Sequence, residues 1–201
     1  IRISAALASV SLVFILAYLS LAALLAYRPK WSWVAELTDF SCVSLPNLFA
    51  GVMVALGTIA YYPYTRFSGT LAETEDWLYL IPPAFVLALY PMGVLGRIMR
   101  SQIQGIQSSP YVRAARALGL SEHAILYEYI LPNALVPLLS ALGNQLPLLL
   151  TSTFIVELVF SIPGIGALLL RSVLERDLPM MEGIVIATSA FVVGASLAQI
   201  G

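Results

Sequence analysis

Tyr111-Val112-Arg113-Ala114-Ala115-Arg116-Ala117-Leu118-Gly119-Leu120-Ser121-Glu122-His123-Ala124-Ile125-Leu126-Tyr127-Glu128-Tyr129-Ile130-Leu131-Pro132 is a stretch of two short amphipathic helices separated by a glycine, set between long apolar runs. Ser109 suits an N-cap, and Pro110 suits the first helical position, where its missing N–H is not needed. Tyr111, Ala114, Ala115 and Leu118 recur at helical spacing, and Arg113 and Arg116, three apart, share another face. Gly119 ends the first helix, since glycine permits the positive φ that reverses a chain. Ser121 can cap the second helix. Glu122 in its first turn suits the positive end of the helix dipole, and Ile125, Leu126, Tyr129 and Ile130 lead back toward apolar sequence. A membrane protein that holds such a piece outside the bilayer uses it to dock something.

The rest of the chain is built for lipid. Hydrophobic residues make up 60% of the sequence and charged residues 10%, with a mean hydropathy of +0.90, whereas soluble domains are roughly 25% charged. A net charge of −1 offers no basic surface for nucleic acid. The single cysteine, Cys42, excludes an internal disulfide and a cysteine metal cluster. His123 is the only histidine, so a two-histidine metal motif cannot be made, and the only lysine, Lys30, follows a proline rather than a Walker A glycine. No metal site, ATPase or intramembrane enzyme is expected from this chain.

Charges mark the spans. The 25 uncharged residues between Arg2 and Arg28 can cross a hydrocarbon core of about 30 Å. A second span is expected after Ser44-Leu45-Pro46, ending near Tyr61-Tyr62-Pro63, a third from Trp77 to Gly96, a fourth over 133–155 and a fifth from Gly183 onward. Only 13 uncharged residues separate Glu157 from Arg171, and Pro163-Gly164-Ile165-Gly166 interrupts them, which predicts an interfacial or re-entrant segment. The expected fold is an all-α polytopic transmembrane bundle of five spans. With the 97–131 loop inside, Arg28, Lys30, Arg97, Arg100, Arg113 and Arg116 face Arg2, Arg66, Arg171 and Arg176, in agreement with the positive-inside rule. The 62–76 and 156–180 loops then lie on the other side. No signal peptide or internal repeat is present in the sequence.

Two further sets of residues stand out. Glu157 closes an apolar run; it reads either as an interfacial residue hydrated at the membrane edge or as a polar group at a pathway mouth, beside Phe160, Pro163, Gly164 and Gly166. Asn144 and Gln145 lie in mid-span, where uncharged amides seek a partner helix or water; they read either as pore-facing groups or as packing contacts.

Ala114-Ala115, Gly119 four residues after Ala115, and Ile130-Leu131-Pro132 resemble the cytoplasmic "EAA" loop of bacterial ATP-binding-cassette importer permeases. The run from Tyr111 to Ser121, with Val156-Glu157-Leu158-Val159-Phe160-Ser161-Ile162-Pro163-Gly164-Ile165-Gly166, is similar to the dipeptide, oligopeptide and nickel branch. The resemblance covers roughly 1–201 and is strongest in 109–183. It departs at Arg113, which stands where the motif has glutamate. The resemblance implies a type I importer permease domain over 1–201, with a coupling loop at 109–132. Arg113, Ala114, Ala115, Arg116, Gly119, Leu120 and Ser121 would meet an ATPase subunit, the arginines toward its acidic rim. It further implies a bacterial inner-membrane location, a homologous second permease, two ATPase subunits carrying ATP and magnesium, and an extracytoplasmic binding protein that delivers substrate to the 156–180 side. The family's usual six spans imply that one N-terminal helix and the end of the chain lie outside this sequence. Peptides are the expected cargo, nickel or another small solute the alternative. A secondary transporter or channel would instead call for inverted repeats or paired intramembrane acids, which the sequence does not display.

Overall fold

The computed structural model describes residues 2–27, 32–61 and 77–197. The described residues are helical throughout apart from short turns: α1 (Arg2–Tyr27), α2 (Ser32–Ser44), α3 (Asn47–Tyr61), a tight turn at Trp77–Leu80, α4 (Ile81–Gln107), α5 (Pro110–Ala117), α6 (Glu122–Ala124), α7 (Leu131–Val159), α8 (Ile165–Glu175) and α9 (Leu178–Leu197). The expected loop at 62–76 lies outside the described residues.

Helix α1 contains neither glycine nor proline, so nothing interrupts its hydrogen-bond ladder. Leu7, Ser11, Ile15, Leu19, Ala22 and Ala26 recur at steps of four and three and are buried, forming one stripe that packs along α4. Ser9, Ser11 and Ser20 return their hydroxyls to carbonyls three residues back at 2.7–2.8 Å, which satisfies them without water. Helix α4 is the centre of the bundle. Val86, Leu87, Ala88, Leu95, Met99 and Ile103 are buried within it, with α1, α2, α3 and α7 packed around it, and Phe14 meets Phe85 edge to face at 5.8 Å.

Among the described residues, three helical runs are long and apolar enough to cross a bilayer: Arg2–Tyr27, Ile81–Gln107 and Glu122–Val159. The last is continuous, because a π-helical turn at Ile125–Ile130 joins α6 to α7. The expected second span differs from its forecast. It is a broken helix, α2 and α3 meeting at 95°. Pro46 lacks an N–H and disfavours helical geometry at the residue before it, so the ladder stops at Ser44 and restarts with the Ala50 N–H on the Pro46 carbonyl at 3.0 Å. The third span also runs further than Gly96, carrying Arg97 and Arg100 inside helix α4. Helix α9 is apolar but shorter.

Candidate functional site

The two ends of α1 mark the two ends of the bundle. Tyr27 touches Glu122 at one end and Ser4 touches Glu157 at the other, roughly 35 Å apart at 1.5 Å per residue. The helical loop of 109–130 and the 157–166 segment are therefore on opposite ends, as the charge distribution predicts.

At the first end, Ser109 is extended and Pro110 opens α5, although the Ser109 hydroxyl makes no hydrogen bond. Helix α5 ends in a Schellman turn. Gly119 takes φ +80, its N–H donates to the Arg116 carbonyl at 3.0 Å, and the Leu120 N–H donates to the Ala115 carbonyl at 3.3 Å. The Ser121 hydroxyl then caps the next helix by accepting from the Ala124 N–H at 3.2 Å. Val112 and Ala115 face the core, and Arg113, Ala114, Leu118, Gly119 and Leu120 face outward, with Leu118 82% exposed.

Two expectations for this loop are corrected. Ala115 is 4% exposed and packs into the chain's own core, so it belongs to the platform rather than to the docking surface. Helical spacing placed it beside Ala114, but neighbouring residues lie 100° apart around the axis, and Val112 fixes which of the two turns inward. The Arg116 guanidinium is also already engaged: its Nε donates to Glu122 Oε1 at 2.9 Å and its Nη2 to Glu122 Oε2 at 3.2 Å. These bonds hold its pKa above the ordinary arginine value. The Tyr27 hydroxyl donates to the same carboxylate, and the Gln107 amide donates to the Tyr27 carbonyl at 3.2 Å. The loop is thus braced onto the ends of α1 and α4, with Arg113 and the Glu122-paired Arg116 both exposed.

At the other end Glu157 is not hydrated: it is 0% exposed. The Ser4 hydroxyl donates to its Oε1 at 2.5 Å and the Gly166 N–H to its Oε2 at 2.6 Å, while the Ile165 N–H donates to Ser4 Oγ at 3.0 Å. The carboxylate thereby takes the place of a cap for α8, sitting at the positive end of its dipole. Both glycines are sterically required. A Cβ at Gly164 would overlap the Glu157 carboxylate, and one at Gly166 would lie 2.6 Å from the Phe154 Cα. Phe160 is buried beneath this turn and Pro163 is exposed. The short segment is a helix, α8, lying between α7 and α9 and too short to span, as its length and the Pro163-Gly164 break predict.

The two mid-span amides separate. Gln145 is on the buried face of α7, its Oε1 without a partner, and does not line an open surface. Asn144 is on the opposite, exposed face together with Asn133, Ser140 and Thr151. Their separations of seven, four and seven residues return to one line on a helix of 3.6 residues per turn. That line runs roughly 27 Å along the axis, nearly the depth of the hydrocarbon core. Asn133 and Thr151 bond their own helix, to the Tyr129 and Pro147 carbonyls at 2.6 and 3.2 Å. Sequence spacing contains this stripe, and only the burial of the opposite face reveals that it is unpartnered. No cluster of metal-ligating side chains occurs among the described residues.

Such a bundle, with a braced helical loop at one end and a polar stripe on an outer helix, defines a polytopic membrane protein. Residues 3–199 match the family described as "Binding-protein-dependent transport system inner membrane component", and the chain belongs to that family of transport subunits. A Brucella abortus (strain 2308) protein, provisionally named a peptide transport system permease, is 34% identical over 145 residues, 70% of this chain and 46% of that protein. The oligopeptide transport system permease protein AppB of Bacillus subtilis (strain 168) is 32% identical over 182 residues, 86% of this chain and 57% of AppB. The dipeptide transport system permease protein DppB of the same organism is 33% identical over 160 residues, 77% of this chain and 51% of DppB. The chain spans about half the length of these relatives.

Proposed function

We propose that this chain is the membrane-spanning permease of an ATP-driven peptide importer in a bacterial inner membrane, paired with a homologous permease and moved by two ATPase subunits. The observation that carries the reading is the outward side of the 109–132 loop: Leu118, 82% exposed, stands with Ala114, Leu120 and Arg113 on a turn rigidly braced to α1 and α4. A large apolar side chain held out on a rigid turn is a surface awaiting a cover. Small residues beside it let a partner backbone approach. ATP and magnesium belong to the partner subunits, and this chain supplies the lever.

The polar stripe on α7 forms one wall of the pathway. An amide turned to hydrocarbon is costly, so Asn144 faces water or the second permease. Neutral donors and acceptors suit the amides of a peptide backbone irrespective of its side chains, in keeping with the peptide-permease names of the relatives. The Glu157 turn and α8 form the extracytoplasmic mouth, toward which a binding protein presents cargo.

Copurification tests the assembly: the subunit should retain two ATPase subunits, and Leu118→Glu should release them without impairing insertion. Retention by Leu118→Glu and by Gly119→Val alike would remove the loop from the ATPase contact. Labelling of a cysteine placed at Ser121, in a Cys42→Ala background, fixes orientation. Reaction with an impermeant reagent from outside would reverse the proposed topology.

A further inference from the structure

Asp39 and Arg100 form an ion pair inside the bundle that no feature of the loop or the mouth uses. Asp39, on α2, is 1% exposed and Arg100, on α4, is 12% exposed; Nη1 and Oδ2 are 2.8 Å apart. The contact is an ion pair without hydrogen-bond geometry, and neither of these two atoms has a hydrogen-bond partner. The Tyr18 hydroxyl, from α1, donates to Asp39 Oδ1 at 2.6 Å and lies 3.1 Å from Thr38 Oγ1. Helix α4 is notched to admit the acid: a Cβ at Gly93 would lie 2.6 Å from the Asp39 carbonyl, and one at Gly96 would overlap Oδ1. Buried charges are retained only where they are paired, and a packed apolar contact in their place is often as stable. A pair kept in such a position points to a registry or switching role.

Its place in the chain says what it joins. Arg100 lies on the last two turns of α4, which leads within three residues into α5 and the 109–132 loop. Asp39 lies on α2, which turns at the 95° elbow into α3. Helix α3 in turn sets Gly51 against α7, where a Cβ would be 3.4 Å from Val159 Cγ1, beside Glu157 and the mouth. We infer that Asp39, Arg100 and Tyr18 are positioning residues for transport: a latch through which displacement of the loop end of α4 is carried by α2 and α3 to the opposite mouth. Without it, α4 can move while the mouth stays still. This rests on the reading of the 109–132 loop as the ATPase contact.

The test is made in the assembled transporter in proteoliposomes, with Cys42→Ala and Ser161→Cys as an exposed reporter on the mouth turn. ATP should change the labelling rate at position 161 in the otherwise unaltered chain. Asp39→Asn and Arg100→Gln should each retain the ATPase subunits and their hydrolysis, yet shrink that ATP-dependent change at least fivefold. The double variant should be no worse than either single one, since both remove the same joint. A full response in either single variant, or a double-variant loss equal to the product of the single losses, overturns the latch. Should the charge variants fail to accumulate, Tyr18→Phe removes one hydroxyl and keeps both charges. It should reduce the response about tenfold, the factor that corresponds to the low end of the share of one hydrogen bond to a charged group, and an undiminished response overturns the proposal. An unaltered transporter with bound ATPase subunits and no response to ATP removes the lever reading, and the latch's role with it. Absence of the ATPase subunits removes the docking reading first.

Discussion

The two ends of α7 are built from the same parts and finished differently. In each a helix is closed by a left-handed residue, Gly119 on the loop side and Ser161 on the mouth side, and the N–H groups of the helix that follows are capped by a side chain. On the loop side the cap is Ser121, the surrounding ion pair is exposed, and Leu118 and Leu120 point away from the protein. On the mouth side the cap is a buried carboxylate, and every bond it accepts comes from within the chain. The mouth turn is complete by itself, whereas the loop is rigid but uncovered. Under the proposed function, the first turn keeps its shape without a partner and the second is left open to receive one.

The largest effect should come from attacking the complete turn. Glu157→Ala leaves the Ser4 hydroxyl and the Gly166 N–H without their acceptor, a loss of about 3 kcal/mol for charge-assisted bonds in a buried site. Thermal unfolding of the detergent-solubilised subunit should show it, and Gly164→Val should be at least as damaging because its side chain displaces the carboxylate. An unshifted midpoint in both variants would mean that the cradle contributes nothing and that the two turns do not differ.

Gly119→Val comes next. Space is not the obstacle, for nothing lies within 4 Å of a Cβ built there; φ is. The strain is about 1–3 kcal/mol, and Gly119→Asn, which tolerates left-handed geometry, should recover most of the stability. The readout is ATPase-subunit retention, lost in the valine variant and largely regained with asparagine. Equal retention in both variants would show that the turn's conformation is irrelevant to docking.

How much of this was legible in sequence depended on whether a signal was local. The Gly119 turn, the Ser121 cap and the break at Pro163-Gly164 each lie within a few residues, and all three stand where spacing placed them. Helix α2 was missed for the opposite reason. Glu36 and Asp39 interrupt the apolar run, and a carboxylate reads as a span boundary until its partner, Arg100, is seen on α4. Arg97 and Arg100 truncated the expected third span by the same logic. Periodicity gave the spacing on α5 and α7 but not the phase, so Ala115 was assigned outward while it faces inward, and Asn144 and Gln145 were left between pore and packing until burial separated them. Glu157 was left between two readings because its donors are Ser4, at the far end of the chain, and the Gly166 N–H beyond a turn.

The smaller effects sharpen the contrast. Arg116→Ala breaks an ion pair whose side chains are 39% and 59% exposed, and such pairs contribute less than about 1 kcal/mol to stability. Thermal unfolding should scarcely change, while ATPase retention should fall as α5 loses its tie to Glu122, which stays bonded to Tyr27; a large shift in the midpoint would make the loop as self-supporting as the other turn. Smallest is Arg176→Gly. Arg176 closes α8 at φ 55, where a side chain is disfavoured, so glycine there should stabilise the subunit by less than about 1 kcal/mol once its own chain entropy is included. A destabilised variant would indicate that the Arg176 side chain, not the backbone angle, governs this corner.

The latch bears on how the chain enters the membrane. Asp39 leaves the ribosome well before Arg100, and until α4 is synthesised its carboxylate has no counterion that hydrocarbon would accept. Helix α2 must therefore wait at the bilayer surface during synthesis. The elbow at Ser44-Leu45-Pro46 allows this, since α3 can be threaded across while α2 lies flat. Only the arrival of Arg100, with the notch at Gly93 and Gly96, lets α2 settle against α4. Biogenesis of this subunit thus has a built-in order, in which an acid is held back until its base has been made.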